Sequence, residues 1–379
     1  MYDVAVVGAG PAGCSTALAL RRNGVAEICI VDSALNRRPR VGETLVPEAG
    51  LVLHELGLRE DFGHEGHEPC LGSCSCWGSD VLGHNDFLLS PYGPGWHLDR
   101  ARFDAFLVSK TKAHGTYLYS GTVIGCCQDS SSSTLLQVKD HRGARWSIGA
   151  RFVVDASGSR SALARTAGAQ PRFLDRLTFL YGFFDTSSGS SALQLTMLEA
   201  VPEGWWYAAP LPHGRLAVAF ASEPDIVRRH ALADDEAWLA ALLRTRHIAS
   251  RLEGCRFLRG SLIIRAGVSF LLDRVAGARW LAVGDAAASY DPLASQGIQK
   301  ALEGGIRAAK CVTAALSCAD AGMHYAASVA ADFAEYTANR NHFYHQEQRW
   351  AESPFWRRRR ARTQLCPPAR SRPTLTCID

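Results

Sequence analysis

The N-terminal run YDVAVVGAGPAGCSTALALRRNG restricts the fold more than any other stretch of the chain. Residues 2–7 form an apolar, β-branched run, the pattern of a buried strand. Gly8, Gly10 and Gly13 follow in G-x-G-x-x-G spacing, and helical sequence follows them. Gly8 permits a tight turn, Gly10 lets backbone approach a pyrophosphate, and Gly13 lets helix and strand pack closely. The helix N-terminus offers free N–H groups and a positive dipole end to phosphate. A glycine triplet alone is weak evidence. Here a second strand, EICIVD, ends in Asp32, nineteen residues past Gly13, where a carboxylate accepts hydrogen bonds from an adenosine ribose. The unit predicts a doubly wound α/β domain whose dinucleotide contacts are Gly8, Ala9, Gly10, Ala12, Gly13, Asp32 and Ser33.

A second stretch, GDAAASYDPLASQGIQKALEGG at 284–305, looks like the site for the other end of the same cofactor. Asp285, just past a strand, is placed to hydrogen-bond a ribityl hydroxyl. Pro292 fixes the loop, and Gly297 with Ile298 allows close backbone approach at a helix start. That helix end stabilises the negative charge of a reduced flavin. The cofactor is therefore expected to be FAD. RFVVDASGSRSALARTAG supplies another strand-to-helix junction ending in Asp155. Glu43, after the basic loop NRRPRVG, and Arg100, at the head of a helix N-capped by Asp99, are expected to stabilise the FAD site. Either Arg100 or Arg102 reaches the cofactor's phosphates, the alternative being a surface ion pair. Val123, in a β-meander broken by the polar turn QDSSSS, completes the cofactor set.

The 379 residues suffice for a large core and two domains. The expected architecture is an α/β, doubly wound FAD-binding domain with an inserted antiparallel-sheet substrate domain and a C-terminal helical tail. FAD-binding parts fall at 1–69, 98–175 and 276–320. Substrate-domain strands fall at 70–97 and 176–275, a C-terminal helix at 321–362, and a disordered tail at 363–379. Within the helical segments, Leu51, Leu53 and Leu56 are expected to face a core, as are Phe103, Phe106 and Leu107. A helix is predicted over 323–350, broken by Pro354, with Phe355 and Trp356 docking on the body. Residues 351–379 carry an excess of five positive charges, leaving the remainder at −1. An almost neutral body does not resemble a nucleic-acid binder, and RRRR at 357–360 is expected to be a solvated, partly disordered tail, the alternative being contact with an acidic partner or an anionic surface. No run is long enough to span a membrane. Met1 leads almost directly into a strand, so the expected location is cytoplasmic. The cysteines are expected to be reduced, with Cys70, Cys74 and Cys76 as small packed residues rather than metal ligands.

In GWWYAAPLPHG, Trp205 and Tyr207 lie on one face of a strand and Trp206 on the other. They serve either as core packing or as the wall of a planar substrate's pocket. His97 and His213 are acid–base candidates indistinguishable here from structural histidines.

GAGPAG with Asp32, DASGSRS at 155–161 and GDAAASYDPLASQGI at 284–298 together resemble the p-hydroxybenzoate-hydroxylase-like flavoproteins. VGETLVPEA, HLDRARFDAFL, DPLASQGI and ESPFWRRR are most similar to the tryptophan-halogenase-like branch. Halogenases of that branch carry a W-x-W-x-I-P strand, a catalytic Lys after the G-E loop, and a Glu in the D/N-P-L-E-S-x-G-I loop. This chain has WWYAAP, with Tyr207 and Ala209 at the changed positions, Ala294 in place of the Glu, and no Lys within 63–79. The resemblance, with these departures, implies an FAD-dependent monooxygenase. It would hydroxylate an electron-rich aromatic, such as an indole in a free, carrier-bound or protein-borne substrate, through a flavin C4a-hydroperoxide. Electrons would come from NAD(P)H directly or through a separate flavin reductase. The alternatives are an atypical halogenase, a prenyl reductase resembling the geranylgeranyl reductases, and a flavin-bearing maturation protein without turnover.

Overall fold

The computed structural model describes residues 1–33, 42–87, 89–128, 133–186, 194–317 and 322–363. The first sheet is built on parallel neighbours: Trp280–Ala282, Arg145–Asp155, Tyr2–Val7, Ile28–Asp32 and Tyr117–Ser120, in that spatial order. Val4–Val7 and Phe152–Asp155 are buried on both faces, as near-continuous apolar runs in a parallel sheet must be. Thr122–Gln128 and Thr134–Lys139 form the expected meander, which pairs antiparallel with the long strand Arg145–Asp155. Helices Pro11–Arg22 and Gly297–Ser317 pack through small residues. A Cβ on Gly305 would stand 2.6 Å from Ser15 Cβ, and Ser15 Oγ donates to Leu302 O at 2.6 Å.

Among the described residues the second sheet has nine strands. Its centre runs Ile263–Leu272, Pro171–Asp185, Arg215–Ser222, Gly204–Leu211 and Leu195–Val201, all antiparallel. Gly72–Cys76 then pairs parallel with Leu195–Val201. The strand Pro171–Asp185 runs through the boundary expected at 175/176. Strand alternation gives the sheet two different faces. On one, Trp206 packs on Phe220 (ring centroids 4.5 Å apart) and on Trp238, beneath helices Pro224–Arg229 and Asp235–Leu242. On the other, register sets Phe179, Ala221 and Trp205 in one row and Tyr181, Ala219 and Tyr207 in the next. That face meets the cofactor loop and the C-terminal helices.

The long helix spans Gly322–Gln346, ending four residues before the predicted 350. Pro354 does not break it but opens a further helix, Pro354–Ala361, at a position where its missing N–H is harmless. Phe355 and Trp356 dock as expected, both fully buried, and Trp356 Nε1 donates to Val201 O at 2.8 Å.

The arginine run is not a solvated tail. Arg359 is fully buried between Asp175 (2.9 Å) and Glu223 (2.7 Å), while Arg358 bonds Glu223 and Asp225. Arg340, on the long helix, pairs with the same buried Asp175. The acids lie more than 130 residues upstream, so no local pattern shows that this charge is neutralised. Leu51 also departs from expectation, standing 51% exposed while Leu53 and Leu56 are buried. Most of the QDSSSS turn and everything past Thr363 fall outside the described residues. Among the described residues, no helix is long and apolar enough to cross a membrane.

Candidate functional site

The three glycine-containing motifs converge where the parallel strands end. Gly8 N donates to Val31 O and Ala156 N to Val7 O, both at 2.9 Å, while Val283 N donates to Asp155 O. Ser161 Oγ reaches Ala286 O at 2.8 Å, tying the second motif to the third. The glycines are required by contact. With φ +112°, a Cβ on Gly8 would lie 2.3 Å from Ala156 O, and one on Gly13 only 2.0 Å from Gly8 O. Asp155 caps the helix Ala162–Thr166, its Oδ2 accepting from Leu163 N and Ala164 N at 2.8 and 2.7 Å. Its task is local folding.

These residues fit FAD. The helix Pro11–Arg22 starts at Gly10 without any side-chain cap, so its terminal N–H groups face outward for an anion. Asp32 Oδ2 accepts from Ala9 N at 2.7 Å, pinning the glycine turn to the end of the strand Ile28–Asp32. Ser33 follows, exposed, and Val123 lies two residues past Gly121, whose N–H bonds Asp32 O. Ala9 and Ala12 are buried in the turn and first helix. At the other end, an added Cβ on Gly297 meets nothing within 4 Å, and Ile298 is buried directly behind it. Asp285 reaches solvent but sits deep in the molecule. Desolvation pushes its carboxyl up to about 6, against the opposing charge of Arg100.

Arg100 is the charge around which the cleft closes. Its side chain is 10% exposed, Nη1 donates to Gly42 O at 3.3 Å, and Nη2 pairs with Asp104 at 3.2 Å. Gly42 has φ +108°, and a Cβ there would press to 2.5 Å from Arg100 Nη1. Arg102 instead makes the surface pair, with Glu65 at 3.1 Å. Glu43, 4% exposed, is raised by burial and partly restored by the Gly42 N–H and by Arg100. Its charge in turn helps burial hold the Tyr181 and Tyr207 hydroxyls above their ordinary range. Both therefore stay protonated donors at neutral pH. Thr44 Oγ1 shares hydrogen bonds of 2.8 Å with the Tyr207 hydroxyl and with Thr196 Oγ1, joining the G-E loop to the sheet.

Trp205 is 1% exposed, hydrogen-bonded to Tyr344 and covered by the C-terminal helices, whereas Tyr207 is only half-buried. His97 is buried opposite Thr44, and desolvation pulls it down to about 4, so it is neutral. His213 lies exposed at a hairpin tip with φ +68°. Cys70 and Cys74 are buried around Thr196 and Arg251, Cys76 is buried beside Ser79 and Arg349, and no metal-holding group occurs among the described residues. Tyr181, Thr44 and Thr196 escaped the sequence reading. The strand alternation that paired Trp205 with Tyr207 also pairs Phe179 with Tyr181, but only register brings the two strands together.

The fold and the convergent motifs define an FAD-binding oxidoreductase with an antiparallel sheet packed against the loop at 284–297. The tryptophan halogenase family profile matches residues 3–70 and 81–375, and the chain belongs to that family. It is thus an FAD-dependent enzyme of the halogenase branch of flavin monooxygenases. LodB of Marinomonas mediterranea, named as an FAD-dependent oxidoreductase, is 29% identical over 96% of this chain and 98% of its own. The flavin-dependent halogenase CmlS superposes with a TM-score of 0.83 at 23% identity, covering 94% of this chain and 67% of its own. The peptidyl tryptophan dihydroxylase QhpG, essential for tryptophylquinone cofactor biogenesis, superposes at 0.71 with 24% identity, over 94% and 78%.

Proposed function

We propose that the protein is a monooxygenase that hydroxylates an electron-rich aromatic ring, with an indole carried by a peptide or protein as the favoured substrate. The observation that carries this is the side-chain set between loop and sheet. It comprises Glu43, Thr44, Arg100, Tyr181 and Tyr207, with no lysine among the described residues there. Of the chain's five lysines, Lys110 and Lys310 pair with Asp61 and Glu55, and Lys112 and Lys139 are exposed. Lys300 stands 5.1 Å over the Tyr290 ring and lines a pocket with Asp285 and Gly297. With Ala294 at the position of the halogenase Glu and no Lys within 63–79, the chain lacks the two residues with which the resembling halogenases activate a hypohalous acid.

FAD, when bound, supplies the oxygen-activating chemistry. The chain supplies placement and proton handling. Tyr181 and Tyr207 flank Ala219, two strand spacings or about 10 Å apart, and a planar ring lies against that row. Glu43, whose carboxyl burial raises above its ordinary range, accepts the proton the ring loses on substitution. The likeness to a peptidyl tryptophan dihydroxylase supports a polypeptide-borne indole. Electrons come from NAD(P)H, directly or through a flavin reductase.

Halogenation is the second reading, favoured by the family match itself. The test supplies NADH, a flavin reductase, FAD and air, with an indole-bearing peptide or free tryptophan, with and without chloride or bromide. Mass spectrometry reading one or two added oxygens supports hydroxylation. A halogenated product sinks it and establishes the second reading, and a product heavier by two hydrogens sinks both.

A further inference from the structure

The cofactor loop is also held from its far side, by residues outside the three glycine contacts. Asp291, 4% exposed, is the hub. Its Oδ2 accepts from the Tyr344 hydroxyl at 2.7 Å and its Oδ1 from Leu293 N at 3.0 Å. Its own N–H donates to the Tyr336 hydroxyl at 2.8 Å, which shares a 2.9 Å hydrogen bond with Ser269 Oγ. Tyr344 in turn accepts from Trp205 Nε1 at 3.1 Å. A directed line therefore runs from the sheet to the flavin loop: Trp205 N–H to Tyr344 oxygen, Tyr344 O–H to Asp291 carboxylate.

The polarity of that line is forced. Indole only donates, so the Tyr344 oxygen accepts from Trp205 and its own proton is left for the Asp291 carboxyl, a task for a residue type that does both. Tyr336, Arg340 and Tyr344 recur at four-residue spacing, which places them on one helix face. Arg340 lies 4.6 Å from the Tyr344 ring centroid while paired with buried Asp175, so the tyrosine is held in place from its own helix. Downstream of Asp291, Ser295 has φ +52°, a left-handed conformation costly for serine that persists where surroundings impose it. Two residues later comes Gly297.

We propose that Tyr344 is a positioning residue for FAD. By fixing Asp291 it sets the turn that presents Gly297 and the following helix start to the cofactor, and it ties that turn to the aromatic strand. The proposal rests on FAD binding and is independent of whether the reaction is hydroxylation or halogenation. The experiment titrates apoprotein with FAD by flavin-fluorescence quenching, with circular dichroism and Tm recorded for each variant. Tyr344→Phe should weaken FAD binding about tenfold, the loss of a buried hydrogen bond that leaves its carboxyl partner short of a donor. Trp205→Phe, which keeps an aromatic ring but removes the donor, should weaken it about threefold although it lies in the other sheet. The double variant should be no worse than Tyr344→Phe alone, because both cut one line. Arg360→Ala, whose bonds to Glu347 O, Gln348 and Ala351 O stay within the C-terminal turn, should lower Tm without changing FAD affinity. Wild-type FAD affinity in Tyr344→Phe overturns the proposal, as do single effects that multiply in the double. Should Tyr344→Phe not fold, Trp205→Phe and Asp291→Asn carry the same test, and multiplying effects overturn it there too.

Discussion

The two sides of the cofactor loop are held by different physics. On the nucleotide side the contacts are backbone and glycine. Strand ends exchange N–H···O bonds, and Gly8, Gly13 and Gly284 make room where a methyl would clash with carbonyls or with Ala12. On the sheet side the contacts are long side chains in buried hydrogen bonds and ion pairs, running from Asp291 through Tyr344 and Arg340 to Asp175 and Arg359. The first side depends on what is absent, a Cβ. The second depends on groups that must each find a partner, because a buried unpaired charge is costly.

The sharpest way to break this contrast is on the second side. Arg340→Leu leaves Asp175 short of one buried cation and should cost about 3–5 kcal/mol in denaturant unfolding. A cost below 1 kcal/mol would show that Arg359 and Arg362 neutralise Asp175 unaided. Gly13→Ala comes next. Its methyl would meet backbone that cannot rotate away, so a loss of about 1–3 kcal/mol is expected, with FAD no longer retained through gel filtration.

Asp285 tests the loop between the two sides. Its folded pKa of about 6 lies above the ordinary carboxylate value, so its ionised form is disfavoured in the apoprotein. Apoprotein stability should therefore fall as pH rises from about 4 to 6. A ribityl hydroxyl donating to the carboxylate favours the ionised form, so FAD should bind more tightly as pH rises through 6. Asp285→Asn should flatten both profiles. The smallest effect belongs to Arg102→Ala. Its exposed pair with Glu65 should be worth about 0.5 kcal/mol or less, with unchanged FAD affinity.

The same contrast explains what the sequence disclosed. The nucleotide side was legible because glycine spacing, a strand and a following acid are local signals whose physical reason is local. Asp32 bonds the glycine turn at Ala9, and Asp285 and Gly297 line one pocket. The far side was not legible, since Arg359 meets Asp175 and Glu223 only after the sheet has formed. A run of four arginines near a chain end then reads as solvated charge. Tyr336, Arg340 and Tyr344 did leave a trace, a polar stripe on an otherwise apolar helix face. Nothing local tied that stripe to Asp291. Leu51 misled for the opposite reason: its helix Ala49–Glu55 is short, and its buried stripe passes through Val52 and Leu53 instead.

The alanines of Arg215–Ser222 carry one more consequence. Ala217, Ala219 and Ala221 keep the central strand low between rows of rings, so the gap from Tyr181 to Tyr207 is measured out by the hydrogen-bonded ladder itself. Such a ladder has a fixed lattice constant, about 4.8 Å per strand. A binding surface drawn on it inherits a dimension that side-chain repacking cannot drift. Diversification of this scaffold is then a matter of repainting a surface of constant gauge, exchanging the rings and the hydroxyls they bear, while the width offered to the guest stays that of two β-strands.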